Sequence, residues 1–157
     1  MKQLCNYKLN TKDENMALYI LDIDLSDPKL SIEVGTRNDE FTASGVQTVM
    51  NMIPFKNNNS YEKEVIAGIN GDYFSYTNGT FTANASVIKE GTIVRDNLSS
   101  GYKYFGQLDN KTYKIGEQAE YFRLKYKFNE LIGGRYPLIL NGVISGSDDG
   151  STAPRTA

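Results

Sequence analysis

Histidine and tryptophan are absent from this chain, and cysteine occurs once, as Cys5. The missing histidine excludes a Ser-His-Asp or Cys-His nucleophile system, a His-ligated zinc site and an imidazole pH switch built from this chain alone. Acid–base work must then fall to carboxylates, tyrosine or lysine. A lone cysteine cannot close an internal disulfide or anchor a Cys-rich metal site, so Cys5 reads as incidental. There is no excess of positive charge either: 17 Lys+Arg face 19 Asp+Glu, for a net charge of −2. That argues against a nucleic-acid module, which presents a basic field. No apolar run approaches the ~20 residues that span a bilayer. The opening MKQLCNYKLNTKDENM shows no apolar core of a signal peptide.

The chain is 157 residues long, 39% hydrophobic and 23% charged, which places it among globular rather than disordered chains. That length suits one domain. Residues 16–25, MALYILDIDL, read as a strand whose far end alternates apolar side chains with Asp22 and Asp24. Ser26-Asp27-Pro28 is a turn signal, and LSIEVG over 30–35 reads as a second strand. The clearest helix covers 44–53: Ser44 caps it, Gln47 completes a capping box, Val46, Val49, Met50 and Ile53 form its apolar face, and Pro54 stops it. VIAGI over 65–69 is a continuous apolar run, as in a strand buried on both faces.

Beyond it the chain is punctuated as hairpins are. Asn78-Gly79, Glu90-Gly91, Asp109-Asn110 and Asn141-Gly142 each lie between apolar or alternating segments. YFRLKYKF over 121–128 alternates strictly, which predicts a half-buried antiparallel strand with Arg123, Lys125 and Lys127 facing solvent. PLILNGVI over 137–144 reads as another hairpin. The predicted class is α+β: a mainly antiparallel, hairpin-rich sheet with one capped helix near 44–53.

Chemistry concentrates in two places. Asn70-Gly71-Asp72-Tyr73-Phe74 follows the apolar run, putting polar groups at a strand end where sheets bind ligands. Gly71 permits a sharp turn or close approach of backbone to a ligand, and Tyr73 and Phe74 offer sugar-stacking or packing surfaces. A simple turn followed by core aromatics is the plainer reading of the same residues. The second place is Pro154-Arg155-Thr156-Ala157, where a guanidinium suited to anionic oxygens stands beside a hydroxyl. Read alone, it is a chain tail. Asp22/Asp24 and Asp148/Asp149 are hard oxygen ligands that suit Ca²⁺ or Mg²⁺ only if folding adds further oxygens.

Taken in order, Asn70–Phe74, VIKEGTIV (87–94), GGRYPLILNG (133–142) and APRTA (153–157) resemble the phosphodiester glycosidase family, which includes N-acetylglucosamine-1-phosphodiester α-N-acetylglucosaminidase and bacterial proteins linked to exopolysaccharide. The resemblance covers roughly 60–157. It is preceded by a polar segment over 1–15 and a strand–strand–helix lead-in over 16–56, within one domain. It implies hydrolysis of the bond between a sugar's anomeric carbon and a phosphodiester. Carried over by motif, Asp72, Asn70 and Arg155 would be catalytic, with Arg155 clamping the phosphodiester and Asp72 moving a proton. Gly71, Tyr73, Phe74, Thr156 and Asn141 would contact substrate.

The family pattern continues past Pro-Arg-Thr-Ala to an Asn-x-Asp-Gly-Gly-Gly-Ser element, whereas this sequence stops at Ala157. The expectation is therefore an N-terminal portion that is active only when the remainder is supplied. The implied partner is a carbohydrate or sugar phosphate in exported, cell-envelope material. No cofactor is required, and no nucleic acid or membrane span is expected. A homo-oligomer or a second chain would complete the sheet. The competing expectation is a non-catalytic glycan-binding or assembly module, of surface or phage-tail type, on the same fold.

Overall fold

Left-handed two-residue turns set much of the architecture. In the computed structural model, which describes residues 5–10, 15–60, 62–135, 137, 139, 140 and 142–144, Asn78 and Gly79 take φ of 52° and 79°. Glu90 and Gly91 take 49° and 76°. Two successive positive φ values match the twist of the flanking strands, and each pair closes a hairpin. The first joins β3 (Phe74–Thr77) to β4 (Thr80–Ala83), and the second joins β5 (Val87–Lys89) to β6 (Thr92–Arg95). The hairpin expected at 109–110 joins β7 (Lys103–Leu108) to β8 (Tyr113–Glu117) through residues 109–112, and β10 (Ile139–Leu140) pairs antiparallel with β11 (Val143–Ile144).

The chain divides into two compact units, Met1–Ile32 and Glu33–Ala157. In the first, β1 (Cys5–Asn10) pairs antiparallel with β2 (Asn15–Ile20), Cys5 opposite Ile20. The Ser26-Asp27-Pro28 turn forms as expected, with Asp24 Oδ1 accepting hydrogen bonds from Ser26 N at 3.0 Å and Ser26 Oγ at 2.6 Å.

In the second unit, β9 (Phe128–Gly134) is the centre of a five-stranded antiparallel sheet of order β6-β5-β9-β7-β8. The fold is α+β and rich in antiparallel strands, as the sequence predicted. Ala85, Ile88, Leu98, Tyr104, Tyr121, Phe128 and Leu131 make its core. Tyr104 meets Phe128 edge-on at 5.1 Å between ring centres. Both core tyrosines keep their hydroxyls paired: Tyr104 donates to Glu120 Oε2 at 3.0 Å and Tyr121 to Asp96 Oδ1 at 2.8 Å. Burial is thus achieved without an orphaned phenol.

Five local expectations are corrected. The strand expected over 16–25 ends at Ile20 as β2, and 21–25 form no strand. The helix is not at 44–53 but is α1 (Val49–Asn59), which begins after Thr48 with no side-chain capping hydrogen bond and continues through Pro54. The groups of the expected capping box are engaged elsewhere. Ser44 forms a bridge to Thr82, Gly45 takes φ of 85°, and the Gln47 carboxamide exchanges hydrogen bonds with Asn38 at 2.8 and 3.1 Å. The half-buried stripe is Val49, Met52, Ile53, Lys56 and Asn57, and Met50 is 74% exposed. Residues 30–35 and 65–69 form no strand; Ile66 and Ile69 of the latter run are 57% and 67% exposed. The central position expected for 65–69 is held by β9, and apolar content alone does not say which run takes it.

Residues 121–128 are not a strand. They belong to α2 (Gln118–Leu124), a 3-10 turn at Lys125–Lys127 and the start of β9. Buried Tyr121 and Phe128 and half-buried Leu124 also fit i, i+3, i+7 spacing, and that period prevailed. Phe122 and Tyr126 of the expected inner face are 52% and 83% exposed.

Candidate functional site

The segment carrying Asn70, Gly71 and Asp72 runs irregularly from α1 to β3, so these residues do not cap a buried strand as expected. Asn70 is exposed. Gly71 is not left-handed; its role is close approach, since a Cβ there would stand 2.1 Å from Ile132 Cδ1. Asp72 turns inward beside β9 and the start of β5. Its Oδ1 accepts from Tyr73 N at 2.7 Å, and its Oδ2 accepts from Ala85 N at 2.5 Å. Burial pushes the Asp72 carboxyl above the usual carboxylate range, outweighing those backbone donors and the nearby Arg95 charge.

Past Asp72 the β3–β4 ribbon has two unlike faces, because side chains alternate along each strand and opposite partners share a face. Phe74 lies opposite Ala83 and Tyr76 opposite Phe81. The Phe81 ring meets Phe74 at 5.4 Å and Tyr76 at 4.6 Å, with Phe74 57% and Tyr76 64% exposed. Ser75 lies opposite Thr82 on the other face. Ser75, Thr77 and Thr82 line an open groove of about 500 Å³ with Asn84, Arg95, Asn97, Ser99 and Tyr102.

Hydrogen bonds tie the groove walls together. Ser75 Oγ donates to Asn84 Oδ1, Asn97 Nδ2 to Asn84 O at 2.8 Å, and Asn97 N to Ser86 Oγ at 2.9 Å. Tyr102 N closes a turn on Ser99 O at 3.0 Å. The groove is therefore a hydrogen-bonded seam between the ribbon and the chain leaving β6, lined by hydroxyls, carboxamides and one guanidinium.

A second groove, of about 630 Å³, lies among Glu33, Asp39, Phe41, Lys56, Asn59, Lys63, Glu90 and Glu130. Apart from Glu130, whose oxygens accept from the Val34 and Glu90 amides, its charges are ion-paired. Fully buried Lys89 donates to the Asp39 carboxylate and to Asp39 O at 3.1 Å. Lys56 bridges Glu33 at 3.1 Å, Glu90 at 3.1 Å and Asp39 at 3.7 Å. Burial opposes the charge on Asp39, yet Lys89, Asn59 and Lys56 hold its carboxyl below the ordinary range. This network joins the chain before α1 to β5 and β9.

Of the residues singled out from sequence, Asp72, Gly71, Tyr73 and Phe74 gather at the base of the ribbon. Arg155, Thr156, Asn141, Asp148 and Asp149 lie outside the described residues. Asp22 and Asp24 belong to the first unit and are exposed. Among the described residues no three acidic or cysteine side chains are grouped to hold a metal, and no helix is long and apolar enough to cross a membrane. Sequence reasoning missed Asn84, Arg95, Asn97, Ser99 and Tyr102. The VIKEGTIV motif stops one residue short of Arg95, and nothing local distinguishes that arginine from a solvated strand end.

Compared with known proteins, the chain matches no family model, no curated protein and no solved structure.

Proposed function

We propose that this chain is a glycosidase-type domain acting on a sugar-1-phosphodiester, with the groove beside Asp72 taking the sugar. The observation that supports this is the lining. Ser75, Thr77, Thr82, Asn84, Asn97 and Ser99 offer short donors and acceptors of the kind that pair with sugar hydroxyls. Asp72 is not one of the lining residues, but it neighbours Asn84 and Arg95, and burial biases its carboxyl toward the protonated form, as an acid needs when it hands a proton to a leaving oxygen. In the reaction, water adds at the anomeric carbon as its bond to the phosphodiester oxygen breaks. The sugar leaves with a hydroxyl, and the phosphate leaves as a monoester carrying the transferred proton. Arg155 is the proposed clamp for the phosphodiester from the sequence motif.

The test is hydrolysis of an N-acetylglucosamine-1-phosphodiester, read as free sugar released. Asp72→Asn is expected to lower the rate by about 10²–10⁴, the usual worth of a positioned acid or base. Arg155→Ala is expected to weaken substrate use. Unchanged rates in both variants refute the assignment.

A second reading has its own observation. Both Asp72 oxygens already accept backbone N–H groups, which suits a latch fixing the ribbon to β5 rather than a group free to exchange protons. On that reading the domain binds glycan without cleaving it. Saturable sugar binding with no release of product, both from this chain alone and with the family's Asn-x-Asp-Gly-Gly-Gly-Ser portion supplied, would select it.

A further inference from the structure

Arg95 is the one cation lining the groove, and its surroundings leave its charge unanswered. The Nε atom is buried with no hydrogen-bond partner. The carboxylate next in sequence, Asp96, is turned away and already satisfied: Tyr121 Oη donates to its Oδ1 at 2.8 Å, and Lys125 Nζ donates to its Oδ2. Asp72 is near enough for its pKa to feel the Arg95 charge, but its two oxygens are held by the Tyr73 and Ala85 amides. No salt bridge joins Arg95 to any carboxylate among the described residues.

A guanidinium costs free energy to desolvate and gives it back only through oxygens placed in its plane. Here it is fixed at the end of β6, among hydroxyl and carboxamide groups that cannot neutralise it. We propose that Arg95 is the anion-binding residue of this groove, and that the ligand there is a hydroxylated ring carrying a phosphate-type anionic group. The guanidinium engages the phosphate oxygens through its planar fork. The Ser75, Thr82, Asn84 and Asn97 side chains serve the ring hydroxyls. This deepens the carbohydrate reading of the groove and rests on it, while making no demand on catalysis. It also supplies an anion contact within the described fold that is separate from Arg155.

The experiment is calorimetric titration of the full chain with three probes: N-acetylglucosamine 1-phosphate, N-acetylglucosamine and inorganic phosphate. They are run on wild type, Arg95→Gln, Arg95→Lys and the charge control Arg123→Gln. Arg123 is an exposed arginine facing Glu120 on α2, outside the groove. Wild type is expected to bind the phosphosugar more tightly than either fragment. Arg95→Gln should weaken the phosphosugar by about ten-fold or more, the loss of one charge-assisted fork. It should change N-acetylglucosamine by less than about two-fold. Arg95→Lys should fall between, since an ammonium keeps the charge without the planar fork.

Far-UV circular dichroism and thermal midpoints confirm that each variant is folded. Inorganic phosphate bound as tightly as the phosphosugar would mean a bare phosphate site and overturn the ring half of the proposal. Equal weakening by Arg95→Gln and Arg123→Gln would mean diffuse charge and overturn it entirely. So would no phosphosugar binding by wild type, or binding untouched by Arg95→Gln. If Asp72→Asn abolishes hydrolysis while Arg95→Gln leaves binding intact, the glycosidase reading stands and this one fails. If Arg95-dependent binding occurs with no hydrolysis, the reverse holds.

Discussion

Removing the Asp39 carboxylate should expose the cost of the most buried charge among the described residues. Lys89 is fully buried, and its described partners are the Asp39 carboxylate, Asp39 O at 3.1 Å and Glu90 at 4.0 Å, with the Phe41 ring centre 5.3 Å away. In Asp39→Asn the ammonium loses its facing charge and keeps neutral carbonyl acceptors and a marginal, half-exposed glutamate. Breaking a buried pair from one side costs about 3–5 kcal/mol. The reverse variant, Lys89→Met, should cost less, about 1–2 kcal/mol, because Asp39 keeps Asn59 Nδ2 at 3.0 Å and Lys56 at 3.7 Å. The double variant should recover part of the Asp39→Asn loss, since it removes the stranded charge.

Urea unfolding followed by circular dichroism reads this directly. With a denaturant slope of about 2 kcal/mol per molar, Asp39→Asn should lower the midpoint by about 2 M. A loss under about 1 kcal/mol for Asp39→Asn, or a double variant that loses the sum of the singles, would refute the reasoning, because independent sites add and a buried pair does not.

Three further outcomes follow from particular contacts. Gly133→Ala should destabilise by about 1–3 kcal/mol in thermal unfolding, because the added Cβ would stand 2.2 Å from Ala85 Cβ in the core and 3.2 Å from Asp72 Oδ2. Burial holds the Glu130 carboxyl above its ordinary pKa, although its oxygens accept from Val34 N at 2.9 Å and Glu90 N at 3.1 Å. Its stabilising contribution is thus full below the unfolded carboxylate pKa and lost as pH rises through the folded one, so carboxyl titration by nuclear magnetic resonance should find Glu130 ionising after the exposed glutamates. Lys125, helped by Tyr121, holds Asp96 below its usual pKa against the opposing effect of burial, so the stability it contributes is present above the unfolded value and lost as pH falls through the folded one. Asp96→Asn should therefore flatten the acid limb of the thermal midpoint profile, and an unchanged acid limb would remove Asp96 from that account.

What could be read in the chain and what could not divide along a physical line. Asn-Gly at 78–79 and Glu-Gly at 90–91 announce hairpins because left-handed backbone is a local demand that few residues meet, and both hairpins form. The antiparallel character followed from those turns. The helix start was misplaced because Ser44 and Gln47 have the right chemistry for a cap but find Thr82 and Asn38 instead, 38 and 9 residues away in the chain. For 121–128, two periods fitted the same segment, and only packing of Tyr121 and Phe128 into the core with Tyr104 selected the helical one. At the site, Asp72 was legible as a carboxyl at a chain reversal, but its burial was not. Arg95 was invisible.

By itself, then, the sequence determined the turns, the α+β antiparallel class and the absence of imidazole and disulfide chemistry, all properties of residue type or of a few neighbours. Tertiary structure alone decided which apolar run became the central strand and which charges were buried in pairs. It also brought Ser75, Thr82 and Asn84 against Arg95, Asn97 and Tyr102 around one groove. Burial and charge compensation depend on partners distant in the chain, and no local pattern encodes who those partners are.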